Sequence, residues 1–188
     1  SGTVNYTVRA EDSYGVVTED SVNLDVTSNL TFVNESDPSQ TVDNVQVTAT
    51  FFDENITVTK NTSNGTIQIP SGVTGGAIVH ADADGYRSRT VVIQNVLEQN
   101  TVYLLSNDVD ATQTRFILND VSGTYSESST LYIEKPITEN GSTEYQTIVS
   151  DQFGVDGVTT FLEEGVRYEL RLVSEDGVAA QLGAYNAE

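Results

Sequence analysis

Apolar residues in this chain recur at every second position, and glycine-containing turns interrupt them at short intervals. Val4-Asn-Tyr-Thr-Val8, Val45-Gln-Val-Thr-Ala49, Thr66-Ile-Gln-Ile69 and Tyr168-Glu-Leu-Arg-Leu172 show the pattern. A strand sends successive side chains to opposite faces, so period 2 marks half-buried β-structure. No stretch carries the i, i+3, i+4, i+7 spacing of an amphipathic helix. Strands are expected at 4–10, 21–27, 30–33, 45–52, 56–60, 66–70, 76–81, 89–93 and 101–105. A second set is expected at 114–119, 130–136, 144–150, 157–162, 166–173 and 178–184. Turn pairs such as Asn64-Gly65, Asp84-Gly85, Asn140-Gly141, Asp156-Gly157 and Asp176-Gly177 fall between them. Short strands punctuated this way point to an all-β protein built of antiparallel sandwiches.

The pattern divides the chain into blocks. Residues 1–28 supply two strands around the turn Glu11-Asp-Ser-Tyr-Gly15. Two strands rarely stand alone in water, so they are expected to end an earlier domain or to pair with the next. Residues 29–106 and 112–188 form two modules joined by a polar linker, 107–111. Gly65 and Gly85 stand twenty positions apart, as do Gly157 and Gly177, with matched strand patterns around both pairs. A repeated offset of this kind indicates two divergent copies of one unit.

The first block, Tyr6 to Gly15 followed by Val22-Asn-Leu-Asp-Val26, resembles the last two strands of an immunoglobulin-like surface domain. Val45–Ala49 with Asn64–Ile69 and Ala81-Asp-Ala-Asp-Gly-Tyr86 resembles the carboxypeptidase-regulatory-like or PEGA-like family of prealbumin-type sandwiches. The second module lacks the tyrosine after Gly177 and departs from that family there. Its segments 145–154, 161–168 and 182–185 resemble instead domains of large surface or virion proteins of halophilic archaea and their tailed viruses. These resemblances imply two tandem prealbumin- or Ig-like sandwiches, preceded by two strands of an Ig-like domain. They imply structural or binding modules more readily than enzymes.

Charge narrows the setting. The 188 residues hold 28 Asp and Glu against 8 Lys and Arg, a net charge of -20. Self-repulsion of this size opposes compaction in dilute buffer and is screened by salt. The acidic, lysine-poor composition resembles proteins of extreme halophiles; a merely acidic extracellular module is the alternative. With no basic stripe to neutralise phosphates, nucleic acid is not expected as a partner. Cysteine and methionine are both absent. Disulfides, thiol chemistry and cysteine-ligated metals are therefore excluded, and the opening Ser1-Gly2-Thr3 suggests a fragment of a longer polypeptide. Seven Asn-X-Ser/Thr sequons, at Asn5, Asn29, Asn34, Asn55, Asn61, Asn64 and Asn140, exceed the roughly three expected by chance. They fit a secreted, glycosylated surface or simply the Thr/Asn richness of exposed strands.

Chemistry is sparse. His80 is the sole histidine and has no nucleophile elbow near it, so a half-buried structural role is expected. The carboxylates fall in turns or alternate outward, which does not suit a paired-acid hydrolase. Asn107, Asp108 and Asp110 offer oxygen ligands for Ca²⁺ between the modules, with a solvated linker as the alternative. Tyr14, Tyr125 and Phe153, with the irregular segments 34–44, 122–129 and 136–143, are candidate contact loops or edge packing. The expected function is non-enzymatic: a segment of a surface fibre, spike or turret on a virion or cell envelope in high salt. Its expected partners are neighbouring subunits or domains, most simply as a homo-oligomer, with no cofactor required. The alternatives are an adhesin or carbohydrate-binding module that contacts surface glycans, and an accessory domain of a secreted enzyme.

Overall fold

In the first module the alternation becomes a row of inward apolar side chains. The computed structural model describes residues 2–11, 17–26, 28–52, 55–139 and 141–188. The chain is all-β, with no helix among the described residues. The strands are β1 (Gly2–Glu11), β2 (Val17–Val26), β3 (Asn29–Asn34), β4 (Asp37–Thr41), β5 (Gln46–Phe51), β6 (Ile56–Asn61), β7 (Thr66–Gln68) and β8 (Ala77–Asp82). They continue with β9 (Arg89–Ile93), β10 (Thr101–Leu104), β11 (Ala111–Phe116), β12 (Thr130–Glu139), β13 (Ser142–Gln152), β14 (Val158–Glu163), β15 (Arg167–Val173) and β16 (Ala179–Asn186).

β1 and β2 pair antiparallel from Gly2↔Val26 to Glu11↔Val17 and form a sheet of two. The next eight strands make two sheets. One has the order β6-β5-β8-β9; in the other, β3 carries β10 in parallel, with β7 and β4 antiparallel. Val47, Ala49 and Phe51 of β5 and Ala77, Val79 and Ala81 of β8 point inward with no exposed surface. Leu30, Phe32, Ile67, Val102 and Leu104 of the other sheet meet them in one core. Thr48, Thr50, Thr57 and Thr59 take the outward positions of β5 and β6 and pair across the strands.

The remaining strands repeat the pairing. The order β13-β12-β15-β16 matches β6-β5-β8-β9, and β11-β14 matches β3-β7. Gly65 and Gly157 precede β7 and β14, both in the left-handed region. A Cβ on Gly157 would lie 2.2 Å from the Phe116 carbonyl oxygen, so this turn admits no side chain. Gly85 and Gly177 likewise follow β8 and β15 with positive φ.

Two expected loops are strands instead. Residues 37–41, Asp-Pro-Ser-Gln-Thr, lack alternation, yet pair with the end of β3 as β4. The pairing is set by the neighbouring strand edge and not by local pattern. The 136–143 segment is the closing end of a long hairpin, with Pro136 opposite Tyr145 and Glu139 opposite Ser142. The Asn140-Gly141 signal marks its tip, where Gly141 takes φ 81°. The 122–129 segment holds no strand.

Candidate functional site: a buried charge cluster between the sheet pairs

The two sheet pairs pack against each other. β9 lies against β13, and Val33 and Tyr103 of the first unit join the core of the second. Ser150 is fully buried there. Its hydroxyl accepts from the Val92 N–H at 2.7 Å and donates to the Val92 carbonyl at 3.1 Å, satisfying a buried backbone pair across the junction. Gln94 donates to the Tyr132 hydroxyl beside it.

At the centre stands Glu35, one residue past β3 and 1% exposed. Its backbone N–H donates to the Leu104 carbonyl, which turns the side chain toward the second unit. Oε2 accepts from Arg89 Nη2 at 2.6 Å, and Oε1 accepts from Lys135 Nζ at 3.1 Å. Arg89, 1% exposed at the start of β9, also donates through Nη1 to the Thr160 hydroxyl at 2.8 Å and the Phe161 carbonyl at 2.7 Å. Lys135 reaches a second carboxylate at Glu163, and the Glu163 N–H donates to the Tyr168 hydroxyl at 2.8 Å. Burial, then the Glu35 charge, pushes the Tyr168 phenol above its ordinary range. Arg87 lies 4.4 Å over the Phe161 ring, a favourable cation–π placement. Two carboxylates and two cations balance, which is the condition for charges to be tolerated in a low-dielectric interior. The unsatisfied Nε atoms of Arg87 and Arg89 are the remaining cost.

None of these cluster residues stood out as a site in the sequence, although one signal was present. Lys135 is in phase with the inward Leu131, Ile133 and Ile137 of β12, so a cation sits where alternation calls for an apolar side chain. Such a residue must be paired if it is buried.

The sequence candidates lie elsewhere. Asn107, Asp108 and Asp110 occupy a turn after the Tyr86↔Ser106 bridge; the Asn107 N–H donates to Gly85 O and the Asp108 N–H to Ser106 Oγ. Among the described residues no three His, Cys, Asp or Glu side chains gather as a metal site. Asn29, Asn55, Asn61 and Asn64 are exposed, while Asn34 is half-buried with its Oδ1 accepting the Ser36 N–H. Asn140, Tyr14 with the rest of turn residues 12–15, and the side chain of Asn5 lie outside the described residues. His80 is exposed, not half-buried: alternation turns Val79 and Ala81 inward and leaves the imidazole 3.3 Å from Thr90 Oγ1. Phe153 belongs to the core of the second unit, and Tyr125 is partly buried against that core. Asp120 pins the loop before β12. Its carboxylate accepts from the Ser122 hydroxyl and from the N–H groups of Tyr125 and Ser122, which hold its pKa at about 2.

A shallow groove of about 370 Å³ runs beside β10 and β13, lined by Glu98, Gln99, Asn100, Tyr103, Tyr145 and Gln146 among others. The side chains of Gln99, Asn100 and Gln146 make no hydrogen bond to described residues, and Tyr145 is half exposed. No family model, no curated protein and no solved structure matches this chain.

Proposed function

We propose that this chain is a non-enzymatic structural segment of an extended surface assembly, a fibre, spike or turret on a virion or cell envelope working in high salt. The buried Glu35–Arg89–Lys135–Glu163 cluster carries this reading. It ties one sheet pair to the next through four charged side chains, so the units act as a stiff rod and not as beads on a flexible linker. The recurrence of strand order supports two tandem, divergent sandwiches of prealbumin or Ig-like type. The charge of -20 supports a setting where salt screens surface repulsion, and the exposed sequon asparagines suit an extracellular face. An antibody raised against the chain and applied to intact particles or cells of its source tests the placement. Dense surface labelling in high salt is expected; labelling only after lysis overturns it.

A second reading, a glycan-binding module, is favoured by the groove at Tyr145. An exposed ring beside free amide and carboxylate groups is the arrangement that stacks on and hydrogen-bonds a sugar. The strongly acidic chain favours a neutral glycan over an anionic one. Titration with neutral oligosaccharides, followed at the Tyr145 and Gln146 resonances, tests it; saturable shifts lost in Tyr145→Ala are the supporting result.

A further inference from the structure

The second sheet pair has an open strand edge at the place that the first pair has filled. β3 carries β7 on one side and, on the other, β10 in parallel from Thr101↔Thr31 to Leu104↔Asn34. Its counterpart β11 carries β14, and among the described residues no strand pairs with its other edge. Two contacts fix which backbone groups face that gap. The Phe161 carbonyl accepts from Arg89 and the Glu163 N–H donates to Tyr168, so both residues direct their backbone polar groups away from β11. Directly opposed residues of an antiparallel pair face alike. Gln113, opposite Phe161, and Ala111, opposite Glu163, therefore point their N–H and C=O groups into the gap, and Arg115 follows by period 2. β9, which lies against β13, is buried except at Thr90, which is half-buried, whereas β16 is exposed at five of its eight positions, with Leu182 53% exposed.

The same chain holds a matching donor. β1 and β2 form a sheet of two strands, which rarely stands alone in water. The β1 sequence alternates Val4, Tyr6, Val8 and Ala10, the pattern of a strand that expects a sheet on one face.

We infer that the β1–β2 hairpin of a second copy of this chain adds to the free edge of β11, in the position that β10 takes on β3. Main-chain hydrogen bonds to Ala111, Gln113 and Arg115 supply the affinity, as in other strand-addition contacts. Donor and acceptor are different surfaces, so the contact is heterologous and runs head to tail into an open row. It deepens the fibre reading and rests on it. Copies that each carry a charge of -20 repel, so the association belongs to molar salt.

Sedimentation of the full chain in molar salt, from micromolar to millimolar concentration, tests the contact together with amide exchange on the same samples. Concentration-dependent association is expected, with slowed exchange at Ala111, Gln113 and Arg115. A peptide of residues 1–27 is expected to cap the assembly and protect the same three amides. Gln113→Pro removes an outward N–H at an exposed edge position, where proline is tolerated in a strand, and is expected to weaken association about tenfold or more. The wild-type exchange pattern keeps the test decisive should that variant fold poorly. A chain that stays monomeric throughout overturns the inference. So does association with no protection at β11, or a monomer whose Gln113 amide is already protected, which would place the hairpin on its own chain. Surface labelling that persists in any of those cases leaves the structural role standing, whereas loss of labelling removes that role as well.

Discussion

Lys135 Nζ lies 3.1 Å from Glu35 Oε1 in a buried pair whose partners are 100 residues apart in sequence. Each belongs to a different sheet pair, and Arg89 binds the other oxygen of the same carboxylate. Each unit pairs these charges within itself, Glu35 with Arg89 and Lys135 with Glu163, and the Lys135–Glu35 contact with the Arg89 bonds to Thr160 and Phe161 is what crosses the joint.

Glu35→Ala leaves the buried Arg89 guanidinium without its carboxylate and is expected to lower unfolding free energy by about 3–5 kcal/mol, whereas Lys135→Ala leaves Glu35 paired with Arg89 and is expected to cost less. Replacing Glu35 and Lys135 together by Ala is expected to cost less than the sum of the single changes, because the two sites couple. Urea melts of the four proteins check this, and additivity would contradict the geometry.

Thermal stability is expected to depend on salt. Lowering salt from about 1 M to about 0.1 M lengthens the screening distance from about 3 to about 10 Å, which restores repulsion among the surface carboxylates. Calorimetric midpoints should fall across that range. A flat midpoint would argue against adaptation to high salt.

Burial raises the Asp151 pKa above its ordinary value, against smaller lowering contributions from the Gln152 N–H and the His80 charge. A raised carboxyl means that the folded protein holds its proton more tightly, so stability falls as pH rises from 3.8 through the folded value. Asp151→Asn removes that penalty and can keep an acceptor for the Gln152 N–H. The variant is expected to be more stable than wild type at neutral pH and indistinguishable from it below the unfolded pKa. Melts across the acid range give the comparison.

Asp120 behaves in the opposite sense. Its pKa is held at about 2 by the Ser122 hydroxyl and neighbouring N–H groups. Its stabilisation of the loop is present above 3.8 and lost as pH falls through about 2. Amide resonances of Ser122 and Tyr125 should shift with that midpoint, and Asp120→Asn should abolish the transition.

Gly157→Ala is expected to destabilise by more than about 1 kcal/mol, because its positive φ and the Phe116 carbonyl leave no room for a Cβ. Gly177→Ala, with positive φ and open space around it, is expected to cost less. Chemical denaturation of the two variants separates strain from collision.

Much of the strand map was legible in the chain. Val47, Ala49 and Phe51 announce β5, and Asn140-Gly141 announces the β12–β13 turn, because strand alternation and turn conformation are local properties of a few neighbouring residues. Asp37–Thr41 was not legible, since a short polar segment becomes β4 only when β3 offers it a pairing edge. His80 was placed on the right strand but at the wrong depth; which face of a sheet stays open depends on what else packs there. The charge cluster lay further out of reach. Alternation marked Lys135 as a cation on an inward phase, but its partners Glu35 and Glu163 come from other strands, and Arg89 meets Glu35 across 54 residues. By itself the sequence determined an all-β chain, its strand phases and its turns, because backbone sterics and side-chain period act over a few residues. The close packing of the two sheet pairs and the pairing of their buried charges were decided only in the tertiary structure, where desolvation makes each charge depend on a partner far away in the chain.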